Sequence, residues 1–439
     1  MHELMDQRED RLMGMTMSQK ILSLHCGRTD LVPGDLIEAD LDLVLGNDVT
    51  TPPAIKIFEK MGVKEPFDPD RICMIQDHFT PNKDINSAKL NKTMREFARA
   101  HNIKHYYELG RPEMGIEHVI LPDNGLVLPG DVVIGADSHT CTYGAVGAFS
   151  TGVGSTDLAC AMATGKTWFK VPYAVRVNIT GKKKKYVTGK DIILYLIGKI
   201  GVDGALYDSL EFTGEGIKEL SMADRLTICN MAIECGAKNG IFPVDDITRE
   251  YISQTNPDRY EKGDLLAVEA DPDAEYIKTV DIDLDDVELL CAMPYLPSNT
   301  EAAKELSDVV IDQVVIGSCT NGRLADIGLA AKLFEGKTVA PNVRCIVIPG
   351  SQKVWRTALD EGWLKIFDDA GCVVSTPTCG PCLGGHMGVL ADGETCVSTT
   401  NRNFVGRMGD TASKVILAGV PVACASAIAG HVAVPEDDQ

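Results

Sequence analysis

Short apolar runs of strand length alternate with segments of helical period along the whole chain. That alternation confines the fold to the α/β class with largely parallel sheets. The last third is the plainest stretch: residues 313–316 read as a strand, 324–334 as a helix, 344–348 as a strand, 354–367 as a helix and 372–374 as a further strand. Parallel sheets collect their ligands beyond the carboxyl ends of the strands, where the segments SCTNGR and TPTCGPC fall. Residues 131–135 make a similar strand, followed by the loop ADSHTCTYGAVGAFSTGVGSTD.

The chain has 439 residues, and domains of roughly 100–200 residues allow two to three of them. Near residue 173 the character changes to the apolar strand AVRVNI, followed by a lysine run, 182–185, expected to be a solvated hairpin. High charge and short apolar runs over 257–286 predict a surface excursion before the final domain. The division expected is an N-terminal extension, 1–17, then domains 18–172, 173–297 and 298–439. Residues 1–17 are read as an upstream start or a loose tail.

Composition removes whole classes of function. Hydrophobic residues at 44% and charged residues at 24% are ordinary globular usage. The net charge of −21 repels nucleic acid and anionic membranes, so an anionic ligand needs a local basic site. Residues 415–430 contain Pro421 and are too short to span a bilayer; they read as a buried strand and helix. The start MHELMDQRED lacks the basic and apolar regions of an export signal. With fourteen cysteines besides, it points to a reducing compartment, the cytoplasm.

Two phosphate motifs fail. Gly165, Lys166 and Thr167 imitate the end of a P-loop, but its first glycine is Cys160; Gly152 and Gly154 begin a dinucleotide fingerprint whose third glycine is Asp157. Cys379-Gly-Pro-Cys382 has three readings: a thioredoxin-like dithiol, a structural zinc held with Cys319 and His386, or an iron–sulfur cluster held by Cys319, Cys379 and Cys382 with one iron left open. The spacing alone does not separate them. Context adds Arg402 and Arg407 in the loop STTNRNFVGRMGD, and two guanidiniums beside thiolates suit a dicarboxylate or tricarboxylate. Asp77 precedes His78 in QDHFTP, Asp137 lies two before His139 in GADSHT, and His118 sits in GIEHVILPDNG. Beside an open iron these form a coherent proton-transfer set.

The segments GADSHT, LTICNMAIECGA, IGSCTNGR, TPTCGPCLGG and TNRNFVGR resemble signatures of the aconitase superfamily, in its order, from about Ser18 onward. The length resembles the separate large subunits of its two-chain hydro-lyases, which lack the swivelling fourth domain of single-chain aconitases. The resemblance implies three α/β/α domains and one [4Fe–4S] cluster on Cys319, Cys379 and Cys382. It also implies a small subunit that carries the swivelling domain. His78, oriented by Asp77, would protonate the departing hydroxyl. Asp137, Ser138 and His139 match the DSH motif, and His118 would pair with Glu234. Asn230 and Glu234, at i and i+4 in TICNMAIE, would share a helix face. Asn401, Arg402 and Arg407 would hold substrate carboxylates. Pro53 stands where aconitases use a glutamine.

The family's proton-abstracting serine belongs to the swivelling domain, so the chain alone is expected to be inactive. The implied reaction moves a hydroxyl between neighbouring carbons of a branched malate, 3-isopropylmalate first, with homoaconitate and 2,3-dimethylmalate as competitors. A cluster-free RNA-binding relative is the alternative of another class; the charge and the intact cysteine trio oppose it. The remaining cysteines read as buried thiols, with Cys141, near the DSH motif, the one to watch.

Overall fold

Strands buried on both faces read as continuous apolar runs, and that is why they are parallel and central here. Leu43–Asn47, Ile72–Ile75, Val132–Gly135 and Gln313–Gly317 bury every residue. The structure, a computed structural model, describes residues 14–263 and 265–436. Most of the expected N-terminal extension lies outside the described residues. Its last part is tied down: Gly14 bridges Ala274, the Met15 amide donates to Asp271 at 2.8 Å, and Thr16 caps the helix Met17–Cys26.

Three main sheets carry the α/β architecture. The first is parallel, in the order His105–Tyr107, Ile72–Ile75, Leu43–Asn47, Val132–Gly135, Phe149–Gly152. The second is also parallel, in the order Asn239–Ile241, Ser209–Thr213, Ala174–Thr180, Lys278–Asp283. The third has seven strands, Thr300–Ala302, Leu290–Ala292, Lys414–Ala418, Thr395–Ser398, Gln313–Gly317, Arg344–Ile348 and Val373–Val374; Leu290–Ala292 runs antiparallel to both its neighbours and the other pairings are parallel. A two-stranded antiparallel ribbon, Leu36–Asp40 with Lys166–Lys170, flanks the first sheet's unit. One apolar cluster runs through all three sheets, joining Leu45, Val177 and Val315.

Four expectations change. The seven-stranded sheet takes its first strand from Leu290–Ala292, ahead of the boundary placed near 298. The single helix over 354–367 is two, Gln352–Asp360 and Trp363–Ala370, because Gly362 adopts φ +76° between them. The lysine run is no hairpin. It lies in the loop between the strand Ala174–Thr180 and the helix Gly189–Ile200, with Lys183 paired to Asp224 at 2.6 Å. Within the expected surface excursion, Lys278–Asp283 is an edge strand of the second sheet, its charges on the exposed side of the pleat. Residues 415–430 form the end of the strand Lys414–Ala418 and the helix Val420–Ala429. Among the described residues no helix is long and apolar enough to cross a membrane.

Candidate active site between the first and third sheets

Most of the chemically suited side chains leave the carboxyl end of a parallel strand; Glu117 and His118 open the helix Glu117–Asp123 instead. Asn47 ends its strand; Asp77 and His78 follow Ile72–Ile75, and Asp137 to His139 follow Val132–Gly135. From the third sheet, Cys319 follows Gln313–Gly317, Asn401 and Arg402 follow Thr395–Ser398, and Cys379 follows Val373–Val374. They converge on a cavity of about 200 Å³ lined by His78, Glu117, His118, Asp137, Ser138, His139, the three cysteines, Asn401, Arg402 and Arg407, with Asn47, Val49 and Thr50 on one wall.

Backbone constraints set the sulfurs. Gly317 turns the chain at φ +128°, where a Cβ would stand 2.1 Å from the Ile348 carbonyl oxygen, so only glycine fits. Its amide donates to Thr399 Oγ1 at 2.9 Å, tying the Cys319 turn to the loop that carries Asn401. The CGPC turn rests on the first sheet's loop: the Cys379 amide and Thr378 Oγ1 both donate to the Asp77 carbonyl at 2.8 Å. Cys319 Sγ accepts from Asn230 Nδ2 at 3.3 Å and Asn401 Nδ2 at 3.4 Å. Arg407 Nη2 stands 4.0 Å from Cys382 Sγ. A hydrogen bond from Cys379 and the charge of Arg407 outweigh burial and hold the Cys382 thiol well below the usual range. Burial, with Cys382 beside it, pushes Cys319 up to about 12.

This donor set suits a polynuclear iron group better than a single zinc. Among the described residues, the groups of three donors converging within 4.8 Å are Asp48, Asp77, His78 and His78, Glu117, Asp137; the thiol trio is not one of them. One tetrahedral zinc with bonds of about 2.3 Å would draw its sulfurs to about 3.8 Å apart. His386 is occupied elsewhere, its Nε2 donating to the Pro81 carbonyl at 2.6 Å, and it does not line the cavity. Amide donors on Cys319 and a guanidinium beside Cys382 suit a thiolate-bound cluster, whose sulfurs are stabilised by such neighbours.

The imidazoles form one network. His78 Nδ1 lies 2.6 Å from Asp77 Oδ1, whose other oxygen accepts from the Glu117 amide at 2.8 Å. Asp48 accepts from three successive amides, those of Asp77, His78 and Phe79. Burial opposes a charged His78, but the charge of Asp77 and hydrogen bonds to Asp137 and Asp77 outweigh it and hold its pKa well above the ordinary value. Asp137 Oδ2 stands 3.6 Å from His78 Nε2, and Oδ1 stands 2.8 Å from His118 Nε2. Despite burial, hydrogen bonds from His118, His139 and His78 keep Asp137 ionised far below the usual carboxylate range. Burial lowers His118 even so.

The expected His118–Glu234 pair is not formed. His118 takes Asp137 and Tyr143, while Glu234 Oε1 meets His139 Nε2 and Arg402 Nε, each at 2.8 Å. The cause is local. The helix Met222–Asn230 tightens into a 3₁₀ turn, Met231–Cys235, so Asn230 and Glu234 lose the α-helical i, i+4 relation. Asn230 reaches Cys319 and Glu234 reaches the other flank. Pro53 is exposed on the helix Thr51–Lys60 and lies off the cavity; Asn47, Val49 and Thr50 supply that wall. Cys141 is buried, its thiol near the Asn230 carbonyl at 3.3 Å, and burial pushes it up to about 12.

Asn47, Asp48, Glu117 and Lys190 were not singled out from sequence. The first two stand in NDVTT at a strand end, an Asn-Asp turn signal. Glu117 adjoins His118 in GIEHV. Lys190, fully buried, donates to the carbonyls of Thr399 and Thr400 at 2.8 and 2.7 Å, and nothing in its spacing marks it.

Comparison with known proteins agrees with this geometry. The model of the aconitase family (aconitate hydratase) matches residues 19–305 and 298–430. The 3-isopropylmalate dehydratase large subunit of Caldicellulosiruptor bescii is 59% identical over 96% of this chain and 97% of that protein. The proteins of the same name from Acetivibrio thermocellus and Clostridium kluyveri are 58% and 57% identical, each over 97% of this chain and 100% of the relative. The crystal structure of aconitase X from Thermococcus kodakaraensis shares the fold, with a TM-score of 0.50 and 14% identity over 88% of this chain and 89% of that one. The chain belongs to the aconitase family.

Proposed function

We propose that this chain is the large subunit of a 3-isopropylmalate dehydratase, which interconverts two hydroxy-dicarboxylates by dehydration and rehydration. The reading is supported by relatives of that name, 57–59% identical over nearly the full length. One observation carries it: three cysteines, two buried and one half-buried, a histidine–aspartate pair and two arginines line or border a single cavity.

Cys319, Cys379 and Cys382 would hold one [4Fe–4S] cluster, which when bound supplies a Lewis-acidic iron to the substrate's oxygens. The protein's own share is proton handling and orientation. His78, held through Nδ1 by Asp77, presents Nε2 to the cavity and gives its proton to the departing hydroxyl, a poor leaving group without an acid. Asp137 keeps the three imidazoles in register, and Ser138 lines the wall between them. Arg402 donates Nε to Glu234, which leaves its terminal nitrogens for a substrate carboxylate. Arg407 and Asn401 take the opposite side, with Asn230 behind Asn401 at 3.2 Å. Two fixed cations give a doubly charged anion a local foothold in a chain of net charge −21.

The base that removes the carbon-bound proton would come from a small subunit carrying the swivelling domain, so the isolated chain should be inactive. We read the chain as three units, with boundaries near 173 and 290. Abundant unpaired cysteines support a reducing, cytoplasmic setting.

The test is anaerobic reconstitution with iron, sulfide and the small subunit, then turnover of 3-isopropylmalate, homoaconitate and 2,3-dimethylmalate. Preference for 3-isopropylmalate by about a hundredfold in kcat/KM is expected, since roughly 1–3 kcal/mol is what one misfitting substituent costs. Preference for either competitor overturns the substrate. Zinc in place of iron overturns the cofactor, and tight, salt-sensitive RNA binding by the apo-protein overturns the enzymatic reading.

A further inference from the structure

Glu117 is the one cavity carboxylate to which the mechanism above gives no task. Its side chain is 1% exposed and lines the cavity. Oε1 accepts from Asn47 Nδ2 at 3.0 Å and stands 3.5 Å from His118 Nε2. Oε2 is buried with no hydrogen-bond partner among the described residues. The donor atoms of His78, Glu117 and Asp137 all lie within 4.8 Å of one another. Asp77 is closer still to the backbone, taking the Glu117 amide at 2.8 Å. A buried carboxyl this close to the ionised Asp137 cannot also carry charge cheaply. Asp137 is fixed as the anion by hydrogen bonds from three histidines, so the proton belongs on Glu117.

We infer that Glu117 stands in the cavity as an uncharged carboxylic acid and serves as the proton store for His78. The inference rests on the dehydration–rehydration reading. Burial, then Asp77 and Asp137, raise Glu117 well above the ordinary carboxyl value, while His78 opposes them. Its other titratable neighbours, His118, Cys73 and Tyr143, are buried as well. Its Oε2–H is the spare donor in the network. When His78 Nε2 yields its proton to the departing hydroxyl, forming water, Glu117 passes its own to the imidazole, directly or across one water, and becomes the carboxylate. Rehydration runs the same transfers backwards, so no proton is gained or lost over a full isomerisation.

The residue acts through His78, and Glu117→Gln separates storage from structure. The amide still accepts from Asn47 but cannot give up a proton. In the cluster-loaded full chain assembled with its small subunit, kcat is expected to fall about a hundredfold with KM within about threefold, the scale of one lost acid–base group. Because the carboxyl must be protonated to work, wild-type activity should decline as pH rises through the Glu117 pKa, and that limb should vanish in the variant. Iron content and melting temperature should match wild type. Independently of turnover, the C=O stretch of a protonated carboxylic acid should appear in difference infrared spectra of wild type and be missing from Glu117→Gln. Wild-type kcat with an unchanged pH profile, or no such band in the wild type, overturns the assignment. A wild-type enzyme idle on all three compounds, yet showing the band, refutes the substrate reading and leaves the neutral carboxyl in place.

Discussion

The ammonium of Lys190 donates to the carbonyl of Thr400 at 2.7 Å with none of its side chain exposed. Helix Gly189–Ile200 of the second unit thereby anchors the loop that presents Asn401 and Arg402. Thr399 is held by the same nitrogen at 2.8 Å and by Thr320 Oγ1 at 2.5 Å. Lys190→Met keeps the packing but strands the buried Thr400 carbonyl and leaves that of Thr399 to Thr320 alone, at a cost of about 2 kcal/mol. Denaturant unfolding of the two proteins measures it. A loss near zero would mean that water replaces the ammonium.

Arg402→Lys should raise KM about tenfold and leave kcat within about threefold, a loss of about 1.4 kcal/mol in ground-state and transition-state binding alike. Lysine lacks the Nε–H that engages Glu234 and the fork that meets a carboxylate. Steady-state kinetics decide; an unaltered KM would place substrate elsewhere.

Cys319→Ser should abolish iron retention, whereas Cys345→Ala, deep in the third sheet, should retain it in full. Iron and acid-labile sulfide assays after anaerobic reconstitution distinguish the two. Equal loss in both variants would make the effect one of folding instead of ligation. Gly317→Ala tests the same turn from the backbone side. Its Cβ would meet the Ile348 carbonyl at 2.1 Å, so a thermal-unfolding loss of about 2 kcal/mol or more is expected.

Stability should fall between about pH 4 and pH 7. Burial first, and Asp42 second, raise Asp131 to about 7. The folded chain therefore binds more protons than the unfolded one in that window, and stability declines as they leave. His25 runs the same way: burial opposes, but Asp42 at 2.7 Å raises its pKa, and that contribution is lost as pH rises through the folded value. Asp131→Asn keeps an acceptor for the Leu128 amide. It should gain roughly 1–3 kcal/mol near pH 8 relative to wild type and none near pH 4. Identical pH profiles of the denaturation midpoint would show that Asp131 ionises freely.

Sequence made the middle of the third sheet legible because strands such as Gln313–Gly317 and Arg344–Ile348 are built on apolar runs bounded by turn residues; 344–348 and 324–334 coincide with the observed strand and helix. It hid Lys278–Asp283 because an edge strand advertises charge in place of apolarity. At the site, residue types were readable and partners were not. The exchange of partners between His118 and His139 depends on a helix tightening by one hydrogen-bond register after Asn230, a tertiary choice that local spacing does not encode. Asn47, Asp48, Glu117 and Lys190 escaped notice for a related reason: polar residues look solvated until a fold buries them.

Sulfurs ride on one sheet and imidazoles on another, and the Asp77 carbonyl, gripped by Thr378 and Cys379, is the rivet between them. Slippage of about 1 Å at that rivet is enough to misalign acid and metal and quench turnover. Heat should then silence this protein while its secondary structure is still whole, and cooling should restore it.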